Sequence, residues 1–229
     1  MHKDVDVRYR NVAGVIAEIE EISVAAPDVK CIRVLDDLFP RNEKSIIDAI
    51  EIFSSFSHLS WRGMAHIMTF GKQSKHLCEL KKCGCIELSV GIESGSERIR
   101  QKIHKPGSCE TIERVIREIL AAGIDVKAYF MFDFSSETLQ EAEQTEVLAK
   151  RFHNISKGYV GKFRTSVFQF RPYHGTALYE EIINGGGIIG TLSKKLSIQF
   201  QDYNNYELSP VEYNGIICAG AASTIYARL

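Results

Sequence analysis

The 229-residue chain lacks any excess of charge: 28 lysines and arginines stand against 29 aspartates and glutamates, a net charge of −1. That balance offers no basic surface to nucleic acid or to an anionic membrane. No apolar run is long enough to cross a bilayer and no signal-peptide pattern opens the sequence, so the cytoplasm is the expected compartment. The six cysteines are irregularly spaced, which fits reduced thiols better than a disulfide framework. His76, Cys78, Cys83 and Cys85 lie close together, but at neither C-x-x-C nor zinc-finger spacing, so no metal site is expected there. Gly185 to Thr191 lacks the lysine of a phosphate loop and follows a helix pattern instead of a strand. Neither G-x-S-x-G nor H-E-x-x-H occurs, which leaves serine-hydrolase and zincin chemistry unsupported. There is no clear repeat and no long low-complexity segment.

What is present is an alternation of strand and helix patterns. With 45% hydrophobic residues, the chain can bury one large core. After a polar lead-in, Asn11 caps a predicted helix from Val12 to about Ser23. Strand patterns follow at Lys30 to Asp36, Leu59 to Ile67, Cys85 to Glu93, Val126 to Phe134 and Arg164 to Arg171. Between them the periodicity predicts helices at Ser45 to Phe56, Lys72 to Lys82, Ser96 to Lys102, Thr111 to Ala122 and Thr138 to about His153. Thr138 and Glu141 have capping-box spacing, and Gly123 stands where a helix should stop. Thr176 to Ile183 reads as a helix, Gly185 to Gly187 as a joint, Ile198 to Tyr203 as a strand, and Ser209-Pro210-Val211-Glu212 as the start of a last helix to near Arg228. Such alternation predicts an α/β fold with parallel strands. It also leaves an oddity: the first helix has no strand before it.

Parallel α/β sheets place ligands at the carboxyl ends of their strands. Those ends carry Asp36 and Asp37, His66, Glu93 with Ser94, Asp133 to Glu137, and Gln169 with Arg171. Glu93 follows a buried strand pattern beside glycines. It suits either of two parts, an acceptor for two ribose hydroxyls or a helix-start carboxylate helped by the helix dipole. Asp36-Asp37 suits an ammonium group or a metal, but the pattern alone favours a solvated strand-to-helix turn. A lone histidine such as His66 is more often structural than catalytic. Lys105, before Pro106-Gly107, suits a substrate anion or plain solvent exposure.

In this order the segments resemble the radical S-adenosylmethionine (radical SAM) superfamily, in particular its branch that often carries a cobalamin-binding domain upstream. VDVRYRNVAGVIAEIEEI, from Val5 to Ile22, is similar to the helix after the family's cluster loop. CIRVLDDLF, from Cys31, and LSWRGMAHI, from Leu59, are similar to its second and third strands. CGCIELSVGIESGSERIRQKIHKPGSCETIERVIREILAAGI, from Cys83 to Ile124, is the closest of these resemblances and resembles the ribose-contacting strand with its helices. KAYFMFDFSSET and FQFRPYHGTALYEEI resemble the fifth and sixth strands, so the resemblance covers about Asp4 to Ile183.

The resemblance implies a partial (β/α)6 TIM-like barrel over residues 1–184, without its first strand, followed by a helical extension over residues 185–229. It implies S-adenosylmethionine, a [4Fe–4S] cluster and, through an upstream domain, cobalamin as cofactors, with an electron donor and an unknown small or macromolecular substrate as partners. Glu93 would contact ribose, and Asp36 and Asp37 the methionyl amino group. Ser94, His66, Lys105, Gln169 and Arg171 would line the cofactor or substrate space. The family's C-x-x-x-C-x-x-C cluster loop is absent from this chain. Its G-x-P-G-E-T pattern is reduced to Asp133-Phe134-Ser135-Ser136-Glu137-Thr138. Two expectations stand side by side: the core of a radical SAM enzyme whose cluster loop lies elsewhere, and a non-catalytic binding or interaction module on the same barrel. An open edge at Cys31 to Leu35 would favour self-association.

Overall fold

A computed structural model describes residues 9–134, 136–170 and 175–184. The expected C-terminal extension, with the strand at Ile198 to Tyr203 and the last helix, lies outside the described residues, as does Arg171.

Helix α1 (Val12–Ala25) starts where Asn11 accepts the Gly14 N–H. Strand β1 (Cys31–Arg33) follows, and then helix α2 (Glu43–Ser54), which opens on a capping box between Asn42 and Ser45. Strand β2 (Ser60–Ala65) leads into helix α3 (Ile67–Gln73), a single 3-10 turn and helix α4 (Leu77–Lys82). Strand β3 (Cys85–Glu93) precedes α5 (Glu97–Lys102) and α6 (Cys109–Ala121). Strand β4 (Asp125–Phe132), helix α7 (Leu139–Ser156), strand β5 (Phe163–Gln169) and helix α8 (Ala177–Asn184) complete the order.

All five strands are parallel, and each lies beside its neighbour in sequence. The period-two pattern splits every strand between two faces. Leu88, Val90, Ile92, Val126, Ala128, Phe130 and Phe132 point to one side and are fully buried. The amphipathic stripe of α6 (Ile112, Val115, Ile116, Ile119, Leu120) joins them in the same core. At the other end Trp61 stacks on Phe53 with centroids 4.6 Å apart and donates its indole N–H to the Cys83 carbonyl at 3.1 Å. The opposite face of the sheet carries Arg33, Arg62, Met64, Glu87, Ser89, Lys127, Tyr129 and Arg164 around a cavity of about 160 Å3.

Three expectations need correction. The strand expected over Lys30 to Asp36 ends at Arg33. It lies at one end of the described sheet order, and Leu35 is exposed rather than buried. One helix was expected from Lys72 to Lys82. Instead helix begins at Ile67, directly after β2, because the His66 ring accepts the Met68 N–H at 3.2 Å and caps it. Strand β4 stops at Phe132 because Asp133 takes a left-handed backbone, φ 68°.

Candidate cofactor site

The site lies where β3 ends. Gly91 pairs with Tyr129, and then the register slips by one residue before Glu93, a bulge that re-aims the strand's last side chain. Glu93 itself adopts φ 69°, a conformation non-glycine residues take only when their surroundings impose it. Its carboxylate folds back over Gly91 and pairs with Lys105 at 2.8 Å. A Cβ on Gly91 would collide with Glu93 Oε1 and stand 3.0 Å from Lys105 Nζ, so only glycine leaves room for the pair. Both partners keep some surface, 16% for Glu93 and 31% for Lys105, so the pair is reachable from solvent.

The bulge is held from behind by Arg100, which is 2% exposed. Its guanidinium donates to the carbonyls of Ile92, Pro106 (2.8 Å) and Gly107 (3.3 Å), tying the end of β3 to the Lys105-Pro106-Gly107 loop. The fork of donors on one planar group suits three carbonyls at once. Arg100 therefore fixes both halves of the Glu93–Lys105 pair, and its own carbonyl also accepts the Lys105 N–H at 2.8 Å. Sequence reading missed it. The trace it leaves is an arginine that follows Ile99 inside a short, otherwise solvent-facing helix.

Ser94 is fully buried, with its hydroxyl 3.2 Å from Thr145 Oγ1 and accepting the Ser96 N–H at 3.0 Å. It builds the turn; the sequence had placed it in the cofactor lining. Ser96 caps α5 and donates its hydroxyl to Glu141 at 2.8 Å. Glu141 is also gripped by Arg98, which with burial opposing it holds the carboxyl down at about 2.

His66 sits at the end of β2. Its pKa is lowered, first by burial and then by the charges of Lys105 and Arg100, so the ring stays neutral at physiological pH. With Nδ1 accepting the Met68 N–H, the proton of the neutral ring lies on Nε2. Asp36 and Asp37 lie exposed on the loop after β1 and line the cavity of the open face. Gln169 is the last residue of β5, in register with Phe132. The structure thus brings Glu93, Lys105 and His66 to one stretch of rim, with Asp36 and Asp37 on the same open face.

At the end of β4 the carboxylate behaves differently. Glu137 is 3% exposed, and its Oε2 accepts the N–H groups of Asp133 (2.6 Å) and Phe134 (3.3 Å). Burial raises this carboxyl to about 7, partly opposed by the two backbone donors. Its Oε1 has no hydrogen-bond partner among the described residues.

S-adenosylmethionine fits this rim, since a reachable carboxylate stands over a position without a side chain. A [4Fe–4S] cluster does not fit the described residues, where no three His, Cys, Asp or Glu side chains are placed to hold a metal. Cys85 is fully buried and burial raises its thiol; Cys83 is buried and raised too; His76 lies beside Glu43 and Glu79. No described helix is long and apolar enough to cross a membrane.

The parallel α/β sheet carries a glutamate and a histidine at the carboxyl ends of its adjacent strands β3 and β2, with a lysine brought to the glutamate by the loop after α5. The sequence pattern of the Radical SAM superfamily matches residues 2–149, and the chain belongs to that superfamily. An uncharacterized methyltransferase of Pyrococcus horikoshii is 30% identical over 168 residues, which are 72% of this chain and 34% of that protein. The chain therefore spans about a third of that relative's length. Among solved structures, the fold is shared with the cobalamin-dependent S-adenosylmethionine radical enzyme OxsB, with a TM-score of 0.66 at 13% identity over 97% of this chain and 36% of OxsB. It is also shared with the radical S-adenosylmethionine methyltransferase TsrM of Kitasatospora setae, whose structure holds cobalamin and a [4Fe–4S] cluster. That match has a TM-score of 0.55 at 19% identity and covers 78% of this chain and 32% of TsrM.

Proposed function

We propose that this chain is the S-adenosylmethionine-holding wall of a radical SAM enzyme of the methyltransferase class, with cobalamin as a further cofactor and with cluster thiolates and electron donor supplied from outside these residues. The observation that carries the proposal is Glu93: left-handed at the end of β3, reachable, and folded over Gly91. One carboxylate accepts hydrogen bonds from both hydroxyls of a ribose. When bound, the cofactor supplies the adenosyl group from which the family generates its radical. This chain's residues bind and orient it. Asp36 and Asp37 accept from the ammonium group, Lys105 offers its charge to an anionic group on leaving Glu93, and the Nε2–H of His66 donates into the same space. The name of the Pyrococcus horikoshii relative supports methyl transfer as the reaction class.

Calorimetric titration with S-adenosylmethionine tests the proposal. Binding is expected, and Glu93→Ala should weaken it about tenfold, roughly 1.4 kcal/mol. A chain that binds no S-adenosylmethionine, or binds it equally well after the substitution, overturns the proposal and favours the interaction module.

A further inference from the structure

Below the rim, the open face of the sheet changes sign. Register places Arg33, Arg62 and Glu87 side by side on β1, β2 and β3. One step toward the carboxyl ends, Ser89, Lys127 and Arg164 are aligned on β3, β4 and β5. Arg33, Arg62, Lys127 and Arg164 all line the cavity of about 160 Å3. Glu87 is the one carboxylate within these two rows that lines it. It is buried and already shared, paired with Arg164 on one oxygen and 3.9 Å from Arg62 on the other. Asp125 is level with Glu87 but accepts the Lys162 backbone N–H at 2.8 Å. Asp36 and Asp37 also line the cavity, from the loop past Arg33, and form no ion pair with these cations.

The cations therefore exceed what Glu87 can satisfy. Arg33 has no ion-pair partner among the described residues. Among the described residues Lys127 has only the face of Tyr129, 5.3 Å from the ring centroid. Arg62 Nε is buried with no hydrogen-bond partner among the described residues. A purely structural ion-pair plug would match its charges, and this one does not. The volume is well below that of a whole-ligand pocket, several hundred Å3, so the cavity takes one group of a larger molecule. Forked guanidiniums with an ammonium suit an oxyanion.

We infer that the substrate carries a carboxylate or phosphoryl group, which seats between Lys127, Arg33 and Arg62 at the floor of the open face, with its reacting end directed up to the Glu93 rim. The assignment to substrate rests on the cofactor reading above; the oxyanion site itself does not.

The test uses the full chain with inorganic phosphate and, separately, acetate as probes, read by calorimetry alongside S-adenosylmethionine. Lys127→Met and Arg33→Met are the variants, since neither side chain is in an ion pair and both lie away from the Glu93 rim; thermal melting checks that each folds. Millimolar binding of phosphate or acetate is expected, weakened about tenfold by Lys127→Met and several-fold by Arg33→Met. Tighter binding of one probe assigns the group as phosphoryl or carboxylate. No binding of either probe, or binding indifferent to both substitutions, overturns the inference. Probe binding that survives Glu93→Ala in a chain that fails to bind S-adenosylmethionine overturns the cofactor reading and leaves the oxyanion site standing.

Discussion

The ends of β3 and β4 begin alike and finish differently. Each has a carboxylate residue in the left-handed region, Glu93 at φ 69° and Asp133 at φ 68°, and each is followed by a short turn into a helix. At β3 groups from outside the turn share in holding its backbone: Arg100 donates to the Ile92 carbonyl and Thr145 takes the Gly95 N–H at 2.8 Å, beside the turn's own Ser94. At β4 the turn satisfies itself, with Glu137 folded inward onto the Asp133 and Phe134 N–H groups. A carboxylate is free to meet a ligand only where other groups have taken over the backbone. That difference separates a binding turn from a self-supporting one.

The most direct way to break the comparison is to remove the support of β3. Arg100→Ala takes a charged donor from three carbonyls, of which that of Ile92 keeps the Ser94 N–H, and should cost about 4 kcal/mol in urea unfolding while disordering the Glu93–Lys105 pair. Arg100→Lys should not restore it, because an ammonium lacks the fork.

The β4 turn is probed by pH. The unfolded Glu137 carboxyl ionises near its ordinary 4.5 and the folded one near 7. Between those values the folded chain holds the extra proton, so stability falls as pH rises through the window and levels off above it. Glu137→Gln should remove that slope, leave stability unchanged near pH 4.5, and stabilise the chain at pH 8 by on the order of 3 kcal/mol. Thermal melts of both chains across the window check it: the gap between them should widen as pH rises, since lowered groups such as His66 add the same slope to both, and a gap that stays constant rejects this account of the turn.

Gly91→Ala sharpens the contrast from the other side. Its methyl group meets the movable ends of Glu93 and Lys105 rather than backbone, so the expected cost to stability is only about 1 kcal/mol, with a larger loss of S-adenosylmethionine binding as the pair is pushed aside. The smallest expected effect on stability is that of Glu93→Gln. A partly exposed ion pair contributes about 1 kcal/mol or less, so unfolding should barely change while cofactor affinity drops.

Most of the fold was legible because its signals are local. Asn11, and Thr138 with Glu141, cap helices in the structure as their spacing indicated. The alternation of Leu88, Val90 and Ile92 described a strand with one face buried. Two local readings failed where tertiary placement decides. Val34 and Leu35 have a strand pattern, but β1 ends at Arg33 and Leu35 is left exposed. His66 was read as a strand end, while its ring works as a helix cap. At the site, Glu93 and Lys105 were both singled out, yet their pairing was not, since it depends on the turn made by Arg100. Ser94 and Glu137 look alike in sequence as polar groups after strands. Only burial shows that both are spent on backbone and neighbouring side chains.

The neighbour-to-neighbour order of the five strands also bears on how the chain assembles. Each described strand after β1 pairs with the one that precedes it in sequence, so among the described residues no pairing has to wait for a distant segment. Contacts close over one intervening helical stretch, which keeps loop-closure entropy low and folding fast for a parallel sheet. During synthesis, each new strand emerges onto an edge already built, and the sheet can grow in the direction of translation.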